Sequence, residues 1–284
     1  FRHLYLYSMS RGLLRQLTSG SWAVDRLAGV DEQRGLVYFS GRRDTPLERH
    51  LYRVPLDGNG AIERLSQREG MHEITLAGDQ QTYLDRFSAS LQPPQVSLHR
   101  VDGERLAWIE ENALQPGHPL APYADELVEP EFGVLENDGG DKLYYRLFRP
   151  SDFDPARRYP VVQYVYGGPG AQVVNRGWPR LFLQYLAQQG FVVFSVDNRG
   201  STHRGKAFED HLYKRMGHPE VEDQVAGVRF LRSLPFVDSQ RIAVYGHSYG
   251  GYMTLMSLFT AGEYFAAGVA GAPVTDWALY DTHY

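Results

Sequence analysis

The chain has 284 residues, 43% hydrophobic and 22% charged, with a formal net charge of −5; this is a globular composition, long enough for two domains, with no electrostatic reason to bind nucleic acid. It contains no cysteine, which excludes disulfides, thiolate chemistry and Cys-based metal sites without naming a compartment. No apolar run approaches the ~18 residues of a membrane-spanning helix, and nothing in the residues points to a membrane.

Phe1-Arg2-His3-Leu4-Tyr5-Leu6-Tyr7 opens in mid-strand, without an initiator Met or a leader, so the chain reads as a fragment. Up to about residue 113, short alternating runs are broken by turn residues, and they partly repeat. His3-Leu4-Tyr5 recurs as His50-Leu51-Tyr52, 47 positions later. Each is followed by a turn and a second run, Leu14 to Thr18 and Glu63 to Ser66. Leu27-Ala28-Gly29 and Leu76-Ala77-Gly78 come next, then Leu36 to Phe39 and Thr82 to Leu84. About four strands in roughly 40 to 50 residues is the signature of a β-propeller blade, and the competing expectation is two unrelated β-meanders. Each blade buries its faces against its neighbours, so further blades are expected before Phe1.

Residues 114–130 form a Pro-rich linker, with Pro116, Pro119, Pro122 and Pro130 removing donors and breaking periodicity. Residues 131–284 then alternate strands and helices. Strands are expected at 142–148, 160–166, 191–196, 241–245 and 265–270; helices are expected at 179–188 and 220–231, and from Tyr252 to Phe259. That order implies a parallel sheet with helices on both faces, the plan of an α/β-hydrolase domain.

Gly246-His247-Ser248-Tyr249-Gly250-Gly251 sits between the run Ile242 to Tyr245 and the last of those helices. Gly-x-Ser-x-Gly alone is expected about 0.2 times by chance in such a composition, so the strand before it and the helix after it carry the assignment. A serine at this turn is a nucleophile candidate with a strained backbone, and the flanking glycines remove side chains that would collide there. The partners of such a serine follow it in the order acid, then His. Asp276, Asp281 and His283 come too early to supply both, so these partners are expected beyond Tyr284.

Val165-Tyr166-Gly167-Gly168-Pro169-Gly170 lies where this fold places the second oxyanion donor, and Tyr166 is the obvious hydroxyl. A tight turn with Tyr166 merely packed is the plainer alternative. A phosphate cradle is a poor one, because Gly-Lys-Ser/Thr is missing and Pro169 has no N–H. His218-Pro219-Glu220-Val221-Glu222-Asp223 reads as a helix start, with Pro in the first turn and carboxylates at the positive end of the dipole. The ten histidines show no metal-binding spacing, so no metal is assigned. Asp197 to Ser201 is explained by turn chemistry. Trp277, Tyr280 and Tyr284 fall at helical spacing after the strand that follows the elbow, with Val274 just before. An aromatic stripe is usually core, but here it is expected beside the nucleophile, where it could hold a compact apolar side chain such as proline.

With these pieces in order the chain resembles the dipeptidyl peptidase IV branch of the prolyl oligopeptidase family of serine peptidases. The resemblance runs from the closing blades through Tyr159 to Pro169, Asp197 to Ser201, Glu220 to Gln224, Gly246 to Tyr252 and Ala272 to Tyr284. Tyr before Gly-Gly-Pro fits that branch, whereas acylaminoacyl-peptidase-like relatives tend to carry His. The resemblance implies Ser248 as nucleophile and Tyr166 with the Tyr249 N–H as oxyanion donors. Val274, Trp277, Tyr280, Tyr284 and Tyr249 would line a proline pocket. It implies release of N-terminal X-Pro, less readily X-Ala, dipeptides through an acyl-enzyme, with no cofactor and with a homodimer as the assembly. The family's acid and His match nothing in this chain, and its substrate-clamping glutamates belong to an earlier part of the propeller. Glu110-Glu111 is not that pair. The isolated segment is therefore expected to be inactive. An acylaminoacyl peptidase, a prolyl endopeptidase or a non-catalytic propeller binding protein are the alternatives. The compartment is not readable, with a periplasmic or secreted bacterial setting as the working expectation.

Overall fold

A computed structural model describes residues 1–281. They form two compact units. One comprises Phe1–Asp125 with Asn175–Trp178 and His203–Lys206; the other comprises Glu126–Val174, Pro179–Thr202 and the chain from Ala207 on.

The first unit is all antiparallel β. A hairpin of β1 (Tyr5–Ser8) and β2 (Gly12–Gln16) precedes two four-stranded sheets. The first contains β3 (Val24–Asp31), β4 (Leu36–Gly41), β5 (His50–Pro55) and β6 (Glu63–Arg64), paired in chain order. The second contains β7 (Met71–Leu76), β8 (Thr82–Ala89), β9 (Gln92–Arg100) and β10 (Arg105–Glu110), likewise in chain order. Each sheet is a blade. Alternate residues of the first serve two cores: Val37, Phe39, Tyr52 and Val54 pack with Trp22 on one face. Tyr38 and Leu51 pack with Ile74 and Tyr83 of the second blade on the other.

The sequence repeat has a structural cause. Leu17 N donates to Leu4 O and Leu65 N to Leu51 O, both at 2.8 Å. Leu4 N donates to Thr18 Oγ1 and Leu51 N to Ser66 Oγ, while His3 and His50 bond the same two hydroxyls. A third copy, Leu98-His99-Arg100-Val101, lies another 47 residues on at the end of β9. It escapes the motif because Ser97 stands where His3 and His50 stand.

The 114–130 stretch contains a 3₁₀ turn, Ala121–Glu126. Beyond it come β11 (Glu131–Glu136), β12 (Lys142–Phe148), β13 (Tyr159–Val165), α1 (Leu181–Gln188), β14 (Val192–Val196), the single turn α2 (Lys206–Glu209), α3 (Pro219–Ser233), β15 (Val237–His247), α4 (Tyr249–Thr260) and β16 (Ala267–Gly271). They build one six-stranded sheet in the order β11-β12-β14-β13-β15-β16. The four strands β14, β13, β15 and β16 are parallel, and β11 and β12 add an antiparallel edge, so the sheet is mixed rather than wholly parallel. Two consecutive strands joined by the short turn at Asp138–Gly140 can only pair antiparallel. Leu183 and Ala187 of α1 pack on one face with Tyr164 and Val193. Val221, Val225, Val228 and Met253 of α3 and α4 pack on the other with Val161, Phe194 and Val244. This is the α/β-hydrolase plan, with β15 leading into the elbow. Among the described residues no helix is long and apolar enough to cross a membrane.

Candidate active site

Ser248 links β15 to α4 with φ 60° and ψ −120°. A side-chain-bearing residue held there stores on the order of 1–3 kcal/mol of strain, which its surroundings must hold in place. Ser248 N donates to Gly271 O at 2.9 Å, and Ser248 O accepts from Tyr252 N at 3.1 Å. The neighbouring glycines are required by the packing. A Cβ on Gly246 would stand 2.6 Å from Val165 O as well as against the Gly250 backbone; one on Gly250 would also strike Val165 O. One on Gly251 would stand 2.6 Å from Gly271 O. The turn is thus pressed between the ends of β13 and β16, with Ser248 half-buried.

Parallel pairing sets Val165 opposite Gly246, so Tyr166 and the elbow leave adjacent strands at the same sheet edge. The Tyr166 ring lies 6.0 Å from that of Tyr249, tilted by 35°. A Cβ on Gly168 would stand 2.9 Å from atoms of both rings, so glycine is what lets them approach. Tyr249 is the first residue of α4, where the N–H has no acceptor inside its own helix.

Behind this edge runs a buried polar chain that sequence reasoning missed. Asn198 donates to Gly167 O at 3.0 Å and accepts from Gln224 at 2.9 Å; Gln163 donates to Gln224 Oε1 at 2.7 Å. All three amides are buried, and of their side-chain polar atoms Gln163 Oε1 lacks a partner. They tie the Tyr166–Gly167 turn to α3. Arg199, next in the chain, binds Asp223 and the more exposed Glu222.

α3 begins at Pro219, with Pro in the first turn as expected. Glu220, however, does not face solvent. It is buried, accepts from Tyr249 Oη at 2.6 Å and from Gly217 N at 2.9 Å. Burial pushes its carboxyl above the usual carboxylate range, against the lowering effect of those two bonds. The signal available in the sequence was Glu220, Asp223 and Gln224 set among Val221, Val225 and Val228 on the inward side of α3.

Trp277 and Tyr280 fall at helical spacing, and among the described residues the segment forms a 3₁₀ turn, Trp277–Leu279. Asp276 caps it by accepting from Ala278 N at 2.9 Å, and Tyr280 N closes back on Trp277 O, so the turn ends after one round. It nevertheless brings Trp277 to Tyr249, Tyr252 and Tyr280, with ring centroids 5.8, 5.2 and 5.6 Å apart. Val274 is half-buried in the loop after β16, and Tyr280 is exposed. Tyr284 lies outside the described residues. Among the described residues no three His, Asp or Glu side chains gather in a way that could hold a metal ion.

Residues 180–284 match the prolyl oligopeptidase family, and residues 1–94 match the dipeptidyl peptidase IV (DPP IV) N-terminal region. The chain is similar to dipeptidyl peptidase 8 of Homo sapiens, with 38% identity over 94% of this chain and 31% of that protein. It is also similar to a probable dipeptidyl peptidase 4 of Emericella nidulans, with 36% identity over 99% of this chain and 37% of that protein. The crystal structure of Porphyromonas gingivalis dipeptidyl peptidase 4 superposes with a TM-score of 0.91 at 35% identity, covering 99% of this chain and 39% of that one. The chain therefore spans about a third of the length of the relatives it matches.

Proposed function

This chain belongs to the dipeptidyl peptidase IV branch of the prolyl oligopeptidase family, and from that premise we propose that it carries the nucleophile of a serine exopeptidase releasing X-Pro, and less readily X-Ala, dipeptides from peptide N-termini. Ser248 Oγ attacks the carbonyl carbon of the second residue while its proton passes to a general base. The resulting oxyanion accepts hydrogen bonds from the Tyr166 hydroxyl and the Tyr249 N–H. The C–N bond then breaks, the amine leaves with a proton, and water cleaves the acyl ester to free the dipeptide and restore Ser248. Val274, Trp277 and Tyr280, with Tyr284, present the apolar faces against which a pyrrolidine ring packs.

In this reading residues 1–113 are propeller blades, 114–130 a linker and 131–284 hydrolase sequence, and two copies pair as a homodimer. The observation that most supports it is the backbone of Ser248, φ 60° at a strand-to-helix junction, beside the turn that carries Tyr166.

The test uses protein expressed from the complete open reading frame. Free Gly-Pro-p-nitroanilide is expected to be cleaved with a burst, and its N-acetylated form left intact. Ser248→Ala is expected to abolish both the burst and labelling by a fluorophosphonate. Cleavage of the blocked substrate would replace this reading with an acylaminoacyl peptidase or prolyl endopeptidase. A wild type that takes no label would leave a non-catalytic binding protein.

A further inference from the structure

We infer that Glu220 is a positioning residue for both oxyanion donors, acting through the phenol of Tyr249; the inference rests on the acyl-transfer reading above. Tyr249 has two jobs in that reading. Its N–H faces the oxyanion, and its ring is the post against which Tyr166, Tyr252 and Trp277 lean. The far end of that ring is held by the 2.6 Å bond from Oη to Glu220 Oε1.

Glu220 and Glu222 both lie in the first turn of α3, at the positive end of its dipole, but Glu222 is exposed, its side chain 62% accessible and paired with Arg199. Glu220 is 0% exposed, so its charge has been stripped of water, which is unfavourable unless other donors replace the water. The Tyr249 hydroxyl and the Gly217 N–H do so, one to each oxygen. At 2.6 Å the hydroxyl-to-carboxyl bond is at the short end for an O–H···O bond, and such bonds hold geometry well. The remaining charged and titratable neighbours leave the contact intact. Asp223 on α3 is paired with Arg199 from the loop after β14 and adds to the upward push on the Glu220 carboxyl, and Tyr252 on α4 turns its hydroxyl to Met216 O. Glu220 thus fixes Gly217 before α3 and Tyr249 at the start of α4 to the same carboxyl group.

The test compares Glu220→Gln, Tyr249→Phe and the double variant in protein from the complete open reading frame, with melting temperatures recorded so that assays run on folded enzyme. Each single change is expected to lower kcat on Gly-Pro-p-nitroanilide about tenfold with KM within about twofold, because the displaced N–H matters most once the oxyanion develops. The double variant should be no worse than the poorer single. Effects that multiply to about a hundredfold, or a raised KM with kcat retained, would overturn the assignment. If Glu220→Gln fails to fold, Tyr249→Phe decides alone, since it keeps the ring and removes only the hydroxyl; a kcat within about twofold of wild type would then refute the role. A wild type that cleaves no Gly-Pro substrate would bring down the peptidase reading and this role together. An active wild type with independent singles would bring down this role only.

Discussion

The two units satisfy their buried polar groups in opposite ways. In the blade unit the partners are close in sequence and the pattern repeats: His3 meets Thr18 and His50 meets Ser66, 15 and 16 residues apart, with the same backbone bond beside each. In the hydrolase unit the partners are distant and each bond occurs once. Gln163 reaches Gln224 across 61 residues, Asn198 reaches Gly167 across 31 and Tyr249 reaches Glu220 across 29. Local repeated satisfaction builds a scaffold, with the two His-bearing copies stabilised alike. Convergent, unrepeated satisfaction fixes several loops at one edge of a sheet, as a reactive centre requires.

The sharpest way to break this contrast is to add one methyl group in each unit. Gly250→Ala would drive a Cβ into the backbone carbonyl of Val165, which has no side-chain freedom with which to yield. We expect the hydrolase unit to lose about 3 kcal/mol or more, or to fail to fold, together with all fluorophosphonate labelling. Gly78→Ala in the blade unit, where a Cβ meets nothing within 4 Å, should leave denaturation midpoint and labelling unchanged. Wild-type labelling in Gly250→Ala would show that the elbow is not confined as described.

A gentler change probes the hydroxyl that shares that edge. Tyr166→Phe keeps the ring against Tyr249 and removes only the phenol oxygen. Initial rates should give a kcat lower by roughly 10²- to 10³-fold, the usual effect of one lost oxyanion donor, on an enzyme of unaltered melting temperature. An unchanged kcat would return Tyr166 to a packing role.

The same contrast explains what could be read in advance. Val161-Val162 and Val192-Val193-Phe194 announce β13 and β14 because strands covered on both faces are continuously apolar. Ser248 and Tyr166 stand out because their backbones need glycine neighbours, and glycine is visible as a letter. β11 was not legible: Glu131 and Glu136 bound it, Gly133 interrupts it, and its place at the sheet edge demands little of its side chains. Glu220, Asn198 and Gln224 were legible only as a helix start and a turn. Their second role exists once α3, α4 and the Tyr166 turn are brought together, and no local pattern encodes a partner tens of residues away. The Trp277 to Tyr280 spacing of three fits a helix and a 3₁₀ turn equally; the i→i+3 bonds of Leu279 N and Tyr280 N make it a 3₁₀ turn.

The smallest effect expected from the comparison is a difference in sign with pH. His50 is buried, with Nδ1 against Ser66 Oγ and Nε2 2.8 Å from Glu48. Leu51 N donates to that Ser66 oxygen, so the hydroxyl is free to donate onward to Nδ1, and a neutral ring with its proton on Nε2 satisfies Glu48. Burial holds the His50 pKa below its ordinary value, outweighing the upward pull of Glu48 and helped by the charges of His72 and Arg64. The folded blade unit therefore binds a proton at His50 less readily than the unfolded chain. Its contribution is complete above the unfolded value near 6.5 and is lost as pH falls through that value toward the folded one. Glu220 has the opposite sign. Its raised pKa makes its contribution greatest below the unfolded carboxylate value, and that contribution is lost as pH rises through the folded one. Urea midpoints for the blade unit between pH 7 and pH 5 should fall with pH. His50→Gln should lower stability at pH 7 by about 1–3 kcal/mol, the penalty for disturbing buried bonds, and flatten that slope. A His50→Gln slope equal to wild type would mean that His50 takes up its proton as easily folded as unfolded, and that the repeated His–hydroxyl bond is indifferent to charge.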